Sequence, residues 1–427
     1  MSLKKRWRRA IIGATAAGCA ALASPAASQP IAEPVRSKAQ SRSFTVEQIV
    51  GRALANSPSV AGGRASIAAA RAGRLQASVR PVDQIEVDAE NIAGTGGVLN
   101  QTEITGLYAR TLERGGKRSA RIALADREIG VAEAAALVRR LEIAASVERA
   151  FADALIADAR LEAALNQLDI ERSLSAEAER RVRGYKDPLF VRTRAQARVA
   201  EAEIGVARVR RVRESVYASL SALAGLPAGE LRLDSAGFLD AVPGAAGALA
   251  DADLALAAAE VARAEAAIGL ERTRATGDYT VRGGLIYLRE SDDLGLVGGI
   301  TIPLGAGRAN RGNVERARAE RDRVAFDAEA TRLERLRRVA SLQGTAEGAR
   351  LEATSISDDV LPRLARALAQ VREGYARGGF SFADIQDQAR ALFEARGRLV
   401  DALERHHAAR VELDRLTGRF VNLEIDR

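Results

Sequence analysis

Apolar positions in this 427-residue chain keep a three-to-four-residue period over long stretches and switch to a two-residue period in four short ones. Thr45, with Gln48 three positions on, predicts a capping box opening a helix that ends at Asn56-Ser57-Pro58. An Ala-rich helix follows over about 59–80 and stops near Pro81. Ile85, Val87 and Ala89 then alternate with Glu86, Asp88 and Glu90, which predicts a strand over 84–92. Residues 93–100 hold three glycines and an asparagine and read as a loop. A returning strand over 102–112 places Ile104, Tyr108 and Leu112 on one side. From Lys117 to Arg183 there is no proline, and Gly130 is the one weak break. Val147, Phe151 and Leu155, then Leu161, Leu165 and Leu168, carry the apolar stripe. A helix of that length is a rod of about 100 Å. It outruns a compact domain, so it predicts a bundle or coiled coil. A partner helix over 188–224 starts after Pro188, a residue suited to a first turn.

The whole plan then repeats. Gly184-Tyr185 recurs as Gly374-Tyr375, 190 positions later, and Glu113-Arg114-Gly115-Gly116-Lys117-Arg118 stands at the same offset from Pro303-Leu304-Gly305-Ala306-Gly307-Arg308. In the second copy Tyr279, Val281, Leu285 and Tyr287 form one stripe. Glu290-Ser291-Asp292-Asp293 turn, and Leu296, Ile300 and Ile302 return, giving strands over 279–289 and 294–304. Helices follow over 310–373 and 381–417, and both copies end in Leu-x-Gly. A period this long means one duplicated architecture, with copies at 44–225 and 249–420, an equatorial connector at 226–248 and a tail at 421–427. Each strand has about nine to eleven residues, the length that crosses a bilayer when tilted. One hairpin alone would read as an ordinary soluble hairpin. Two at the repeat offset predict a β-barrel contribution.

Targeting and charge narrow the setting. Lys4, Lys5, Arg6, Arg8 and Arg9 precede an apolar run from Ala10 to Ala23 and small residues up to Ser28, which is a secretory signal over 1–28. Cys19 is a candidate lipidation site, though Ala16 stands where a large aliphatic residue is preferred. Residues 29–43 are rich in Ser, Pro, Ala and Arg and predict disorder. The net charge of +8 drops to about +3 without the five basic residues of the signal. The remaining Arg, Glu and Asp are interspersed along helices, so nucleic acid is not an expected partner. Cys19 is the only cysteine, so a chain cleaved after it has no disulfide or thiol chemistry. After the signal no apolar run of about eighteen residues occurs, which leaves β-strands as the route through a bilayer.

Signal, duplicated helix–hairpin–helix halves and turn motifs together resemble the outer membrane efflux protein family, TolC and its relatives. Glu113–Arg118 and Asp187-Pro188-Leu189-Phe190 look most like the CzcC branch, associated with cation efflux. Pro303-Leu304 followed by Asn310-Arg311-Gly312 is similar to the family's strand-to-helix exit. Gly374-Tyr375-Ala376-Arg377-Gly378, then Asp384, Asp387 and Ala389, is similar to its periplasmic tip. The resemblance implies a mainly α fold with a β-barrel contribution: a homotrimer whose chains each give four strands to a shared twelve-stranded barrel and their helices to a hollow α-barrel. Geometry supports such sharing, because four strands cannot close a barrel and open edges in lipid leave backbone groups unpaired. The implied role is a passive exit duct in the outer membrane. Its partners would be a periplasmic adaptor, an inner-membrane pump of the RND type, and outer-membrane lipid.

The same resemblance places a gate at the tip. It implies that Asp384 and Asp387 ring the periplasmic entrance, where threefold symmetry would make a negative constriction. Both residues also suit a plain helix start. Arg194 occupies the first-copy position equivalent to Asp384, where the best-known member of the family carries a carboxylate. The expectation is that Arg194 pairs with Asp384 across neighbouring helices and holds the tip closed. Tyr185 and Tyr375 are expected to pack the tip.

Other chemistry is not indicated. His406 and His407 are adjacent and point about 100° apart on a helix, so they do not chelate one metal ion. Gly94-Thr95-Gly96-Gly97 lacks the Gly-Lys-Ser/Thr of a phosphate loop. No cofactor and no enzyme activity are expected. The alternative function is a periplasmic adaptor or coiled-coil scaffold, which would more naturally nest one helical hairpin than repeat the whole plan.

Overall fold

The computed structural model describes residues 43–94, 97–98, 102–227, 229, 231–236, 238, 252–421 and 423. The signal over 1–28 with Cys19, the segment 29–42, most of the connector 226–248 and most of the tail 421–427 lie outside them. Nine helices and six strands run in the order α1 (Val46–Asn56), α2 (Pro58–Ala77), β1 (Gln84–Glu90), β2 (Ala93–Gly94), β3 (Gly97–Val98), β4 (Glu103–Leu112), α3 (Lys117–Arg183), α4 (Leu189–Ala224), α5 (Ala252–Arg274), β5 (Tyr279–Leu288), β6 (Asp293–Thr301), α6 (Ala306–Ala309), α7 (Arg311–Ser355), α8 (Leu361–Arg377) and α9 (Phe382–Thr417), among the described residues. Thr45 and Gln48 form the expected capping box.

β1, β4, β5 and β6 make one antiparallel sheet in that order, so the hairpins of the two copies join through β4 and β5. The register decides what each face presents. Ile85 sits opposite Tyr108, Ile104 opposite Tyr287, Leu112 opposite Tyr279, Leu285 opposite Leu296 and Val281 opposite Ile300. All of these large apolar side chains therefore fall on one face, and they are bare: Ile85 is 82% and Leu296 is 89% exposed. The other face carries Glu86, Asp88, Glu90, Glu103, Thr105, Thr111, Thr280 and Arg282. Along β4 the residues of this polar face are the more covered ones, so the sheet curls around it. β1 and β6 are free edges within the chain. No helix among the described residues is long and apolar enough to cross a membrane.

Charged residues fix the step from strand to helix. Lys117 reaches Asp278 at 2.8 Å, the Arg114 backbone N–H donates to Asp278 at 3.0 Å, and the Arg114 guanidinium lies 4.0 Å over the Tyr279 ring. Arg121 pairs with Glu113. Gly115 (φ 71°) and Gly305 (φ 82°), one repeat length apart, both turn the chain through the left-handed region. The duplication is thus written in backbone conformation as well as in sequence.

α3 is the spine of the fold. Its first half packs against α2 and α5, with α7 beyond α5, and its second half against α4 and α9. Large apolar side chains concentrate in two places. One core lies at the equator, where Ile49, Val50 and Leu54 of α1 meet Leu141, Val147, Phe151 and Leu155 of α3, Leu220 of α4 and Phe420. The other lies at the far end of the rods. α7 is predominantly polar on its stretch nearer the sheet and supports itself there with Glu-to-Arg pairs three residues apart, such as Glu315–Arg318, Glu320–Arg323 and Glu329–Arg332.

The continuous helix expected over 310–373 is broken. Residues Ile356–Val360 form a π-turn between α7 and α8. Pro362 explains it: the ring has no N–H and crowds the carbonyl four residues back, so the ladder widens just ahead of it.

Leu296→Arg on the apolar face is expected to cost about 2–4 kcal/mol of barrel stability if the site lies near the bilayer midplane. Thr105→Arg, on the polar face, should cost much less. The yield of heat-modifiable oligomer in outer-membrane fractions measures both, and equal losses would contradict the assignment of faces.

Candidate functional site

At the end away from the sheet, the α3–α4 and α8–α9 turns lie side by side. Leu174 and Ala178 of α3, Val191 and Ala195 of α4, Leu368 and Tyr375 of α8, and Phe382, Ile385, Ala389 and Leu392 of α9 form one core there. Its polar centre is a triad. Arg181 makes a two-pronged bond to Asp187, Nε to Oδ2 at 2.9 Å and Nη2 to Oδ1 at 3.0 Å. Its Nη1 donates to the Tyr375 carbonyl at 2.6 Å, and its guanidinium stacks 4.2 Å above the Tyr375 ring. The Tyr375 hydroxyl donates to Asp187. One arginine from the first copy therefore holds the tyrosine of the second, and Asp187, next to Pro188, receives both. Arg181 keeps the Asp187 carboxyl below the usual carboxylate range, while burial and the bond to Asp187 push the Tyr375 phenol up.

The two Gly-Tyr sites, equivalent in sequence, are not equivalent in structure. α3 stops at Arg183, and Tyr185 takes φ 56° with its side chain 98% exposed. α8 runs on to Arg377 and is capped by Gly378 at φ 87°, which leaves Tyr375 inside the helix and 1% exposed. Gly374 makes room for Phe380, whose ring would collide with any β-carbon there. Tyr375 is thus buried in the tip core, whereas the Tyr185 side chain stands exposed.

The acidic pair divides too. Asp384 completes a capping box with Ser381, accepting from the Ser381 backbone N–H at 2.7 Å and hydroxyl at 2.8 Å, and these bonds lower its pKa. Asp387, one turn on, is exposed. Arg194 is exposed on α4, and no ion pair of Arg194, with Asp384 or otherwise, occurs among the described residues. Sequence reasoning quoted Asp187 as part of a motif and passed over Arg181 and Ser381. The capping pattern Ser381-x-x-Asp384 was readable; the approach of Arg181 to Tyr375 depends on tertiary packing and was not.

Residues 248–419 match the family model described as outer membrane efflux protein. The chain is 31% identical over 315 residues to the cobalt-zinc-cadmium resistance protein CzcC of Cupriavidus metallidurans, covering 72% of this chain and 75% of that one. This chain belongs to the outer membrane efflux protein family. It is also 27% identical over 305 residues to the nickel-cobalt-cadmium resistance protein NccC of Alcaligenes xylosoxydans xylosoxydans, covering 69% of this chain and 70% of NccC. The fold matches the outer membrane protein VceC of Vibrio cholerae with a TM-score of 0.69 at 18% identity, covering 87% of this chain and 96% of VceC. The protein is an exit duct of the outer membrane with a periplasmic extension, and it is not an enzyme. Channels of this family are trimers that work with a periplasmic adaptor and an inner-membrane pump.

Tyr375→Phe removes one hydrogen bond to a charged group, worth about 1.5–3 kcal/mol, and leaves the Arg181–Asp187 fork in place. Amides over 374–385 should then exchange with solvent about 10- to 100-fold faster. Arg181→Ala should exceed this, since it strands the Asp187 carboxylate. Unchanged exchange in both variants would show that the triad does not hold the tip.

Proposed function

We propose that this duct conducts metal cations outward and works with an inner-membrane pump of the RND type. The observation that carries the reading is the polar face of the sheet. Glu86, Asp88 and Glu90 follow one another along β1, and Glu103 stands opposite Glu90. Arg282 is the basic residue on the same face of β5. Curled around that face and repeated three times, the sheet gives a lumen whose fixed charge is mostly negative, which draws cations and holds back anions. The relatives named for cobalt, zinc, cadmium and nickel resistance favour the same cargo.

At the other end of the water column, Asp387 and Asp384 ring the periplasmic entrance in this reading. Asp387 has its carboxylate free for that role, whereas Asp384 divides its own between the helix cap and the pore. The triad of Arg181, Asp187 and Tyr375 holds each α8–α9 turn against the α3–α4 turn. Arg194 lies on α4 at the flank of the chain, so its route to Asp384 runs across the subunit boundary. Tyr185 projects from the tip where an adaptor docks. An exposed Arg194 pair contributes under about 1 kcal/mol, so three of them bias the gate without locking it.

Planar-bilayer recordings of the purified channel test this. Asp387→Asn should lower the ratio of cation to anion permeability severalfold, and Arg194→Glu should raise the conductance of the closed channel. A wild-type channel that prefers anions, or an Asp387→Asn channel with unchanged selectivity, would remove the cation reading.

A further inference from the structure

At the equator α1, α3, α9 and the turn after α9 converge on two carboxyl groups that line one cavity of about 230 Å³, Glu148 and Asp414. Glu148 is only 6% exposed. Arg419 Nη1 donates to Glu148 Oε1 at 3.0 Å and to Asp414 Oδ2 at 2.7 Å, while its Nη2 reaches Glu47 at 2.9 Å. One guanidinium thus serves three carboxyl groups. Glu148 Oε2 is left buried with no partner. An ionised carboxylate with a bare buried oxygen beside a second carboxylate is unfavourable, and a carboxyl that donates its proton to that neighbour is not.

We infer that Glu148 is protonated and that it and Asp414, held side by side on Arg419 Nη1, share one proton and close a proton-dependent clasp across the α3–α9 seam. The groups that face Glu148 are few. α1 brings Glu47, and the turn after α9 brings Arg419. α9 itself brings Asp414, Arg410, which lies 3.7 Å from Asp414, and His406 and His407 on the cavity wall. His406 Nδ1 bonds the Ala346 carbonyl at 2.9 Å, and His407 Nε2 bonds the Phe238 carbonyl at 2.8 Å. Burial holds the His407 pKa down to about 4, so that ring brings no positive charge near neutral pH. Burial first, and then the charge of Asp414, push the Glu148 carboxyl up to about 8, with Arg419 and Arg410 pulling the other way.

The folded state therefore binds a proton that the unfolded chain gives up near its ordinary carboxylate value. Stability from this clasp is complete below that value, falls as pH rises, and is lost once pH passes about 8. α3 and α9 also carry Arg181 and Ser381–Asp384 at the tip. Deprotonation at the equator thus loosens the seam that leads to the tip, and the clasp is a pH-sensitive brace on the rods.

The test uses the detergent-purified trimer. Melting temperatures of wild type and Glu148→Gln are compared from about pH 5 to about pH 9. Glutamine keeps a donor toward Asp414 and cannot ionise, so the variant should match wild type at the acid end and melt several degrees higher by about pH 8. The difference cancels the contributions of His407 and other groups common to both proteins. Parallel curves would overturn the inference. Should Glu148→Gln fail to assemble, infrared spectra of wild type decide alone: a protonated-carboxyl band present at neutral pH and lost in alkali supports the clasp, and its absence at neutral pH refutes it.

Discussion

Backbone hydrogen bonding in lipid is the constraint from which the rest of this molecule follows. A strand inside a bilayer has no water to satisfy its N–H and C=O groups, so every strand needs two strand neighbours. The main sheet of this chain has four strands and, among the described residues, leaves β1 and β6 open. Closure must come from other subunits, and a threefold arrangement supplies it. Once the sheet is shared, the helices that leave it are arranged around the same axis, and their packing encloses the water column that the barrel begins.

The division of labour along the rods follows from where side chains are large. Most of α3 and α7 is built from Ala, Arg and Glu, which allow close approach and ion pairing but define no deep core. Large apolar residues are concentrated at the equator and the tip, the two places where helices start, stop or change partners. A guanidinium also binds carboxyl groups at each of these levels. Arg181 binds Asp187 and Tyr375 at the tip, and Arg419 binds Glu148 and Asp414 at the equator. In each case a guanidinium joins elements of the two copies, so the duplicated halves are fastened together at both levels.

Much of this was legible in the sequence, for reasons of period. The two-residue alternation at Ile85–Ala89 and Tyr279–Tyr287 named the strands and the face each residue takes, because a strand allows only two faces. The absence of proline from Lys117 to Arg183 named the long helix. Pro362 marks the π-turn between α7 and α8, although the apolar pattern continues across it. The 190-residue offset located the tip turns but misjudged them. Equal spacing did not give Tyr185 and Tyr375 equal surroundings, since α8 runs on past Tyr375 while α3 ends before Tyr185. Contacts such as Arg181 with Tyr375, or Glu148 with Arg419, join residues far apart in sequence and leave no local trace.

The sharing of the barrel is most directly tested by cross-linking in a protein whose single native cysteine, Cys19, is replaced by serine. With one cysteine introduced on β1 and one on β6, mild oxidation of the membrane-embedded protein should give covalent species ending at three chains. A protein that stays monomeric under the same oxidation, or that is recovered soluble without detergent, would contradict the shared barrel and the duct that depends on it.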